Sequence, residues 1–302
     1  MAGSQDFVDD PRNAGVLASV NGALVPADEA SVSIFDAGFG LGDGVWEGLR
    51  LHRGALLFLD AHLDRLWAGA AAIRLDIGLS REVLTTRLVE LLQANRMTDG
   101  AHLRLMVTRG RKRTINQDPR HMAGPATVVV TAEYKASPPR EAGGGLVLRT
   151  SAIRTTGPDM FDMRLNSHSR LPLIRALLDV MDAGADEAVL LDPAGHVATC
   201  NATNLFWVKD GAVFTSGDRY CFNGITRANV IATGEVRQGD FPPAHLVAAD
   251  EVFVTGTMGG VTPVRELDGR ALPGEGAPVT ARVVAAYQAC KDADAAAHRL
   301  PL

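Results

Sequence analysis

Two runs of helical periodicity lie between two pairs of alternating, strand-like segments in the first 134 residues, an order that restricts this part of the chain to an antiparallel sheet backed by helices. Residues 16–26 alternate around Asn21-Gly22, the dipeptide best suited to a two-residue hairpin turn. Residues 45–57 alternate again about His52-Arg53-Gly54, behind a stretch, 36–44, whose four glycines read as a loop. Residues 59–73 carry Leu63, Leu66 and Ala70 at helical spacing, and 80–95 repeat the pattern behind a Ser80 N-cap with Glu82 following. Strands over 102–109 and 126–133 complete a β-β-α-α-β-β half.

Pro and Gly concentrate in residues 135–145, the best linker in the chain. The reading is therefore a small α+β N-terminal domain over 1–134, a linker over 135–145 and a larger C-terminal domain over 146–302. In the second half, residues 146–153, 187–191, 205–208, 212–215 and 251–255 read as strands, with helices over 170–183 and 279–289 and a helix start at Arg227. No repeat and no low-complexity tract is present in the sequence.

Composition excludes several classes of function. With 46% hydrophobic and 22% charged residues the chain is globular, and 30 Lys+Arg against 35 Asp+Glu leave a net charge of −5 that disfavours nucleic acid. The acidic start lacks the basic region of a signal peptide, and no apolar run approaches the roughly 20 residues of a membrane span. Three scattered cysteines, Cys200, Cys221 and Cys290, form neither a disulfide framework nor a zinc site. No metal and no membrane is expected, and a reducing cytoplasm fits best. The basic cluster Arg109-Gly-Arg-Lys-Arg113 reads as a solvated loop rather than a polyanion site. Only four lysines occur: Lys112, Lys135, Lys209 and Lys291.

Four segments carry chemistry together. They are Phe35-Asp-Ala-Gly-Phe-Gly-Leu-Gly-Asp-Gly-Val-Trp-Glu-Gly-Leu-Arg50, His62-Leu-Asp-Arg-Leu66, Asn223-Gly-Ile-Thr-Arg227, and Ala249-Asp-Glu-Val-Phe-Val-Thr-Gly-Thr257 with Thr262-Pro-Val264 after it. The third is a turn opening a helix, where free backbone N–H groups suit a phosphate and Thr226 adds a hydroxyl. In this order the segments resemble the class IV (fold-type IV) aminotransferases, which include branched-chain and D-amino-acid aminotransferases and aminodeoxychorismate lyase; the resemblance spans roughly residues 16–288. It implies the two-domain α+β fold of D-amino-acid aminotransferases, a pyridoxal 5'-phosphate site at the domain interface and a homodimer. It further implies amino-group transfer on a small amino or keto acid. Arg65, Ile225, Thr226 and Thr257 would hold the cofactor phosphate, while Phe35, Trp46 and Glu47 would border the substrate. Arg113 would meet a substrate carboxylate.

The chain departs from that family at two places. The family's Schiff-base lysine belongs in residues 161–172, which contain none. Counting forward places it on Arg164, and counting back places it on Asn166. A guanidinium is a poor Schiff-base nucleophile. The glutamate expected against the pyridine nitrogen is Thr199, which can hydrogen-bond but cannot pair with a pyridinium. Three explanations follow: a single Arg-for-Lys change in an ordinary transaminase, a cofactor held without a covalent bond while His168 serves as base, or a fold reused without the cofactor. Lyase-like elimination is an alternative within the family. Cys200, Cys221, His62 and the Asp186-Glu187 pair read as structural.

Overall fold

The computed structural model describes residues 6–138 and 144–302, so residues 139–143 of the expected linker lie outside the described residues. The chain gathers into two compact units. The first comprises Asp9–Ala136, Leu165–Arg170 and Ala293–Leu302; the second comprises the described parts of Met1–Val8, Ser137–Arg164 and Leu171–Asp292.

In the first unit, β1 (Leu17–Val20) and β2 (Ala23–Pro26) pair across Asn21 and Gly22, which take φ of 54° and 90° as the tight hairpin turn demands. Residues 36–44, expected as a loop, instead hold a short helix, α1 (Ala37–Leu41). Asp36 accepts the Gly38 N–H at 2.8 Å to start it, and Gly42 ends it with a left-handed backbone. Then follow β3 (Gly44–His52), β4 (Ala55–Leu56), α2 (Leu59–Ala72), α3 (Arg81–Ala94) capped by Ser80, β5 (Ala101–Thr108) and β6 (Thr127–Tyr134). The six-stranded sheet runs β2-β1-β6-β5-β3-β4 with every pair antiparallel. Strand alternation sends Val45, Leu49, Leu103, Leu105 and Val107 into one core with Leu63 and Leu66 of α2 and Leu84, Leu88 and Leu91 of α3.

Two distant segments join this unit through backbone hydrogen bonds, which the sequence gives no means of anticipating. Trp46 N–H donates to Asn166 O at 2.9 Å and His168 N–H to Gly44 O at 3.0 Å, stitching Leu165–Arg170 to β3. At the C-terminus, Leu300 N–H donates to Gly54 O at 2.8 Å and Phe58 N–H to Asp294 Oδ2 at 2.7 Å.

The second unit is built on a nine-stranded mixed sheet. Its elements are β7 (Leu146–Thr150), α4 (Leu171–Met181), β8 (Glu187–Leu191), β9 (Val197–Cys200), β10 (Asn204–Lys209), β11 (Ala212–Ser216), α5 (Ile225–Ala232), β12 (Val236–Gly239), α6 (Pro243–Val247), β13 (Glu251–Gly256), β14 (Gly260–Leu267), β15 (Arg270–Ala271) and α7 (Pro278–Ala297). The order is β12-β11-β10-β13-β14-β7-β8-β9, with β15 beside β14. The pairs β11–β12, β14–β7 and β7–β8 are parallel. Strands β9, β12, β14 and β15 escape sequence reading because β9 and β15 are short, β12 is polar and β14 carries Pro263. Helix α5 begins at Ile225, two residues before the expected start, and α7 runs to Ala297 instead of 289. Trp207 anchors an aromatic cluster with Phe214 and Phe241, and its indole N–H donates to His245 Nδ1 at 2.8 Å.

Candidate active site

Glu47 shares the parity of Val45 and Leu49 on β3, so its side chain points at α2. There His62 and Arg65, three residues apart, present one helix face to it. Arg65 donates through Nε to Oε1 at 2.8 Å and through a terminal nitrogen to Oε2 at 2.5 Å, while His62 Nδ1 meets Oε2 at 2.6 Å. Glu47 and His62 are fully buried. Burial alone would push the Glu47 carboxyl up, but the hydrogen bonds from Arg65 and His62 outweigh it and hold Glu47 below the ordinary carboxylate range. Burial holds His62 below its ordinary value, so it donates Nδ1–H as a neutral imidazole to an ionised carboxylate. His62 reads in the sequence as structural; it is one arm of this network.

Trp46, Asn166 and His168 are brought together on β3. Asn166 is buried; its Nδ2 donates to Trp46 O, and its Oδ1 accepts from Arg170. Trp46 Nε1 donates to Ser167 O at 3.2 Å. His168 Nε2 lies 3.1 Å from Val45 O, which can only accept, so the ring carries its proton there and leaves Nδ1 with a lone pair. Burial keeps His168 below its ordinary value and hence neutral near pH 7. Arg104 of β5 lies 3.8 Å over the Trp46 ring and Arg170 lies 5.3 Å from it. Neither arginine is marked by the sequence as a site residue; the only signal is that Trp46 and Gly48 of β3 register with Met106 and Arg104, which sets Arg104 diagonal to Trp46.

The other residues expected here have other surroundings. Arg164 is exposed and pairs with its neighbour Asp162 at 2.7 Å. Phe35 and Arg113 are exposed, and no described hydrogen bond or ring contact joins either to Trp46. The basic cluster is in part internal and not wholly solvated. Arg109 pairs with Asp43 at 2.6 Å and caps the Ile73 and Arg74 carbonyls, and buried Lys112 donates to Asp118 O at 2.7 Å.

In the second unit three loops converge. Thr199 donates its hydroxyl to Thr203 O at 3.0 Å, and a Cβ on Gly256 would lie 3.4 Å from Thr203. Asn204 registers with Thr255, and a Cβ on Gly224 would come within 2.4 Å of its Oδ1, so only glycine lets α5 start there. The start of α5 at Gly224 and the end of β13 at Gly256 thus both lie beside the Thr203–Asn204 segment to which Thr199 bonds. Thr226 is buried with its Oγ1 3.4 Å from Tyr287 OH, and Thr255 Oγ1 is buried without a hydrogen-bond partner. Buried Glu187 accepts from Thr203 Oγ1 at 2.7 Å, and burial pushes its carboxyl up to about 7. Burial likewise raises both the Cys200 and Cys221 thiols, which suits inert packing groups.

These residues fit a phosphate and do not fit covalently held pyridoxal phosphate. The start of α5, where Gly224 gives no side-chain cap, the Thr226 hydroxyl and the orphaned Thr255 hydroxyl suit a phosphate. Thr199 has already given its one proton to Thr203, so its hydroxyl has no proton left for a ring nitrogen. Of the lysines, Lys112 donates to Asp118 O, Lys135 pairs with Glu133, Lys291 lies over the ring of Tyr287, and Lys209 ends β10. Among the described residues no cluster of His, Cys, Asp and Glu could hold a metal ion, and no helix is long and apolar enough to cross a membrane.

Comparison with known proteins converges on one family. The family description "Amino-transferase class IV" matches residues 44–267. A branched-chain-amino-acid aminotransferase-like protein of Arabidopsis thaliana is 39% identical over 93% of this chain, which spans about half (51%) of that protein's length. A D-alanine aminotransferase of Listeria monocytogenes is 35% identical, with 87% of this chain and 92% of the relative covered. A branched-chain aminotransferase from the thermophilic archaeon Thermoproteus uzoniensis, in its crystal structure with norvaline, superposes with a TM-score of 0.81 at 27% identity, covering 90% of this chain and 93% of that one. A crystal structure of a branched-chain amino acid aminotransferase with pyridoxamine 5'-phosphate superposes with a TM-score of 0.83 at 30% identity, covering 92% of this chain and 95% of that one. The expected α+β class IV fold is therefore the observed one, and this chain belongs to the class IV aminotransferase family.

Proposed function

We propose that this protein is a lysine-independent member of its family, acting on a small amino or keto acid and holding pyridoxal or pyridoxamine phosphate by the phosphate, without a covalent bond. The observation that carries this reading is Asn166. Of the two positions open to the missing lysine, Arg164 is exposed and tied to Asp162, whereas Asn166 is buried and bonded to Trp46 and Arg170. We assign the lysine position to Asn166. The proton at the substrate α-carbon then needs another base, and His168 has a neutral imidazole with Nδ1 left to accept it. Arg65, with two of its N–H groups fixed on Glu47, supplies a pre-aligned cation. A cofactor-free role is the second reading, favoured by the Thr199 hydroxyl being spent on Thr203.

Calorimetric titration with pyridoxamine phosphate tests the phosphate site. Thr226→Val should weaken binding by about tenfold, the loss of one hydrogen bond to a charged group. Equal affinity in the variant would move the phosphate elsewhere.

A homodimer is supported by α4. Leu171, Ile174, Leu178 and Met181 stand 66%, 53%, 55% and 50% exposed on one stripe, while Ala176 and Val180 face the core. Ile174→Asp together with Leu178→Asp should convert a dimer to a monomer by light scattering; an unchanged mass would assign the interface to another surface.

A further inference from the structure

Glu187 opens β8 on the face that carries Val189, which packs with Cys200 and Leu205, while Ala188 and Leu190 turn to α4 on the other face. Its carboxyl is buried, at 1% exposure, and Oε2 accepts the Thr203 hydroxyl at 2.7 Å. The N–H groups of Ala202 and Thr203 also donate to it, so one buried side chain holds the turn between β9 and β10. Asn201 ties that turn to β8 a second time: its N–H donates to Ala188 O at 3.1 Å and its Oδ1 accepts the Ala188 N–H at 2.7 Å. Thr203 is half-buried, with its methyl toward Gly256, where a Cβ would lie 3.4 Å away.

Among the described residues, the titratable groups beside Glu187 are Asp186 and Cys200; β7 faces it with Leu148. Asp186 accepts the Val147 N–H of β7 at 2.7 Å. The Cys200 thiol of β9 also hydrogen-bonds the Thr203 side chain, and burial and Glu187 keep it protonated. Burial pushes Glu187 up to about 7 with Asp186 adding to it, and the hydrogen bonds from Thr203 and the two N–H groups oppose this without overcoming it.

A hydroxyl has one hydrogen and two lone pairs, whereas an ionised carboxylate only accepts. While Glu187 is ionised, the Thr203 hydrogen must point inward at it. Once Glu187 takes a proton, its own O–H finds Thr203 Oγ1 as acceptor and the Thr203 hydrogen turns away. The Cys200 sulfur is a weak acceptor, so an oxygen or nitrogen of a ligand takes that hydrogen in preference. Thr199 cannot serve in its place, because its hydrogen lies on Thr203 O at 3.0 Å.

We propose that Glu187 and Thr203 form a proton-switched relay in which Glu187 is the positioning residue. Thr203 offers a ligand its hydrogen when Glu187 is protonated and only lone pairs when Glu187 is ionised. The ligand class is a phosphate-bearing anion held beside Gly256 and the start of α5. The inference deepens the reading above and rests on it for the ligand alone.

Infrared difference spectra of the full chain between about pH 6 and about pH 8 read the relay without any ligand. Wild type should show the carbonyl band of a protonated carboxyl that Glu187→Gln lacks. Thr203→Val should shift that band upward, because the Glu187 O–H loses its acceptor. Pyridoxamine phosphate, titrated by calorimetry at the same two pH values, reads the relay with a ligand. Glu187→Gln puts an amide N–H on Thr203 Oγ1 at every pH and so fixes the hydroxyl outward. It should bind about as well as wild type at the lower pH and about fivefold more tightly at the higher, whereas a merely structural role would weaken binding at both. Comparing the two proteins at each pH cancels the titration of the ligand's own phosphate. The same affinity ratio at both pH values, or an infrared band that Thr203→Val leaves in place, overturns the proposal. If wild type binds no pyridoxamine phosphate while the infrared shift is present, the phosphate reading fails and the relay is supported. Should Glu187→Gln not fold, wild type and Thr203→Val decide: the wild-type fall in affinity across the two pH values should exceed that of Thr203→Val by about fivefold.

Discussion

Glu47→Ala should destabilise the protein by about 3–5 kcal/mol, the cost of leaving buried ionic partners without their counter-charge. The carboxylate is fully buried and accepts from both arms, so its loss leaves Arg65, only 15% exposed, and neutral His62 facing an apolar core. Chemical denaturation should show a lower midpoint with an unchanged slope, because the same surface unfolds. A loss below about 1 kcal/mol would mean that water reaches the network.

Asn166→Lys should have the second large effect, a gain of covalent chemistry. A lysine at this buried position enters a site already crowded with Arg170 and Arg104, and both burial and like charge lower an amine's pKa toward the reactive neutral form. With pyridoxal phosphate and borohydride it should take about one adduct per chain by intact mass. Arg164→Lys should take none at that site, because residue 164 is exposed beside Asp162. Adduct formation in Arg164→Lys but not in Asn166→Lys would reverse the assignment, and circular dichroism of both variants separates this from misfolding.

The fold was legible wherever chain-local physics decides it. Asn21-Gly22 marks a turn by its backbone conformation, and Ser80 marks a helix start by its side chain, whatever else surrounds them. Less legible were features set by distant partners. Residues 36–44 look like a loop until Asp36 bridges Arg111 and the Ala37 N–H donates to Gly110 O, and β12 is a strand only because β11 offers it a parallel edge. The helix opening at Ile225 was readable because Asn223-Gly-Ile-Thr-Arg227 places its turn and first helical residues consecutively. The Trp46 cluster was not, since Arg104 and Arg170 come from separate segments and meet only through the β3–β5 register and the Asn166 hydrogen bonds. Arg113, nearer in sequence to the family's Thr-Arg-Gly segment, outranks Arg104 in the sequence although Arg104 is the one beside Trp46.

The central claim is that no lysine of this chain forms a Schiff base with pyridoxal phosphate, and wild-type protein tests it directly. Purified protein is mixed with stoichiometric pyridoxal phosphate, reduced with borohydride and weighed intact, with peptide mapping of any adduct. An unmodified mass is expected, together with reversible pyridoxamine phosphate binding. A stoichiometric adduct on Lys112, Lys135, Lys209 or Lys291 would contradict it and return ordinary lysine chemistry to this fold.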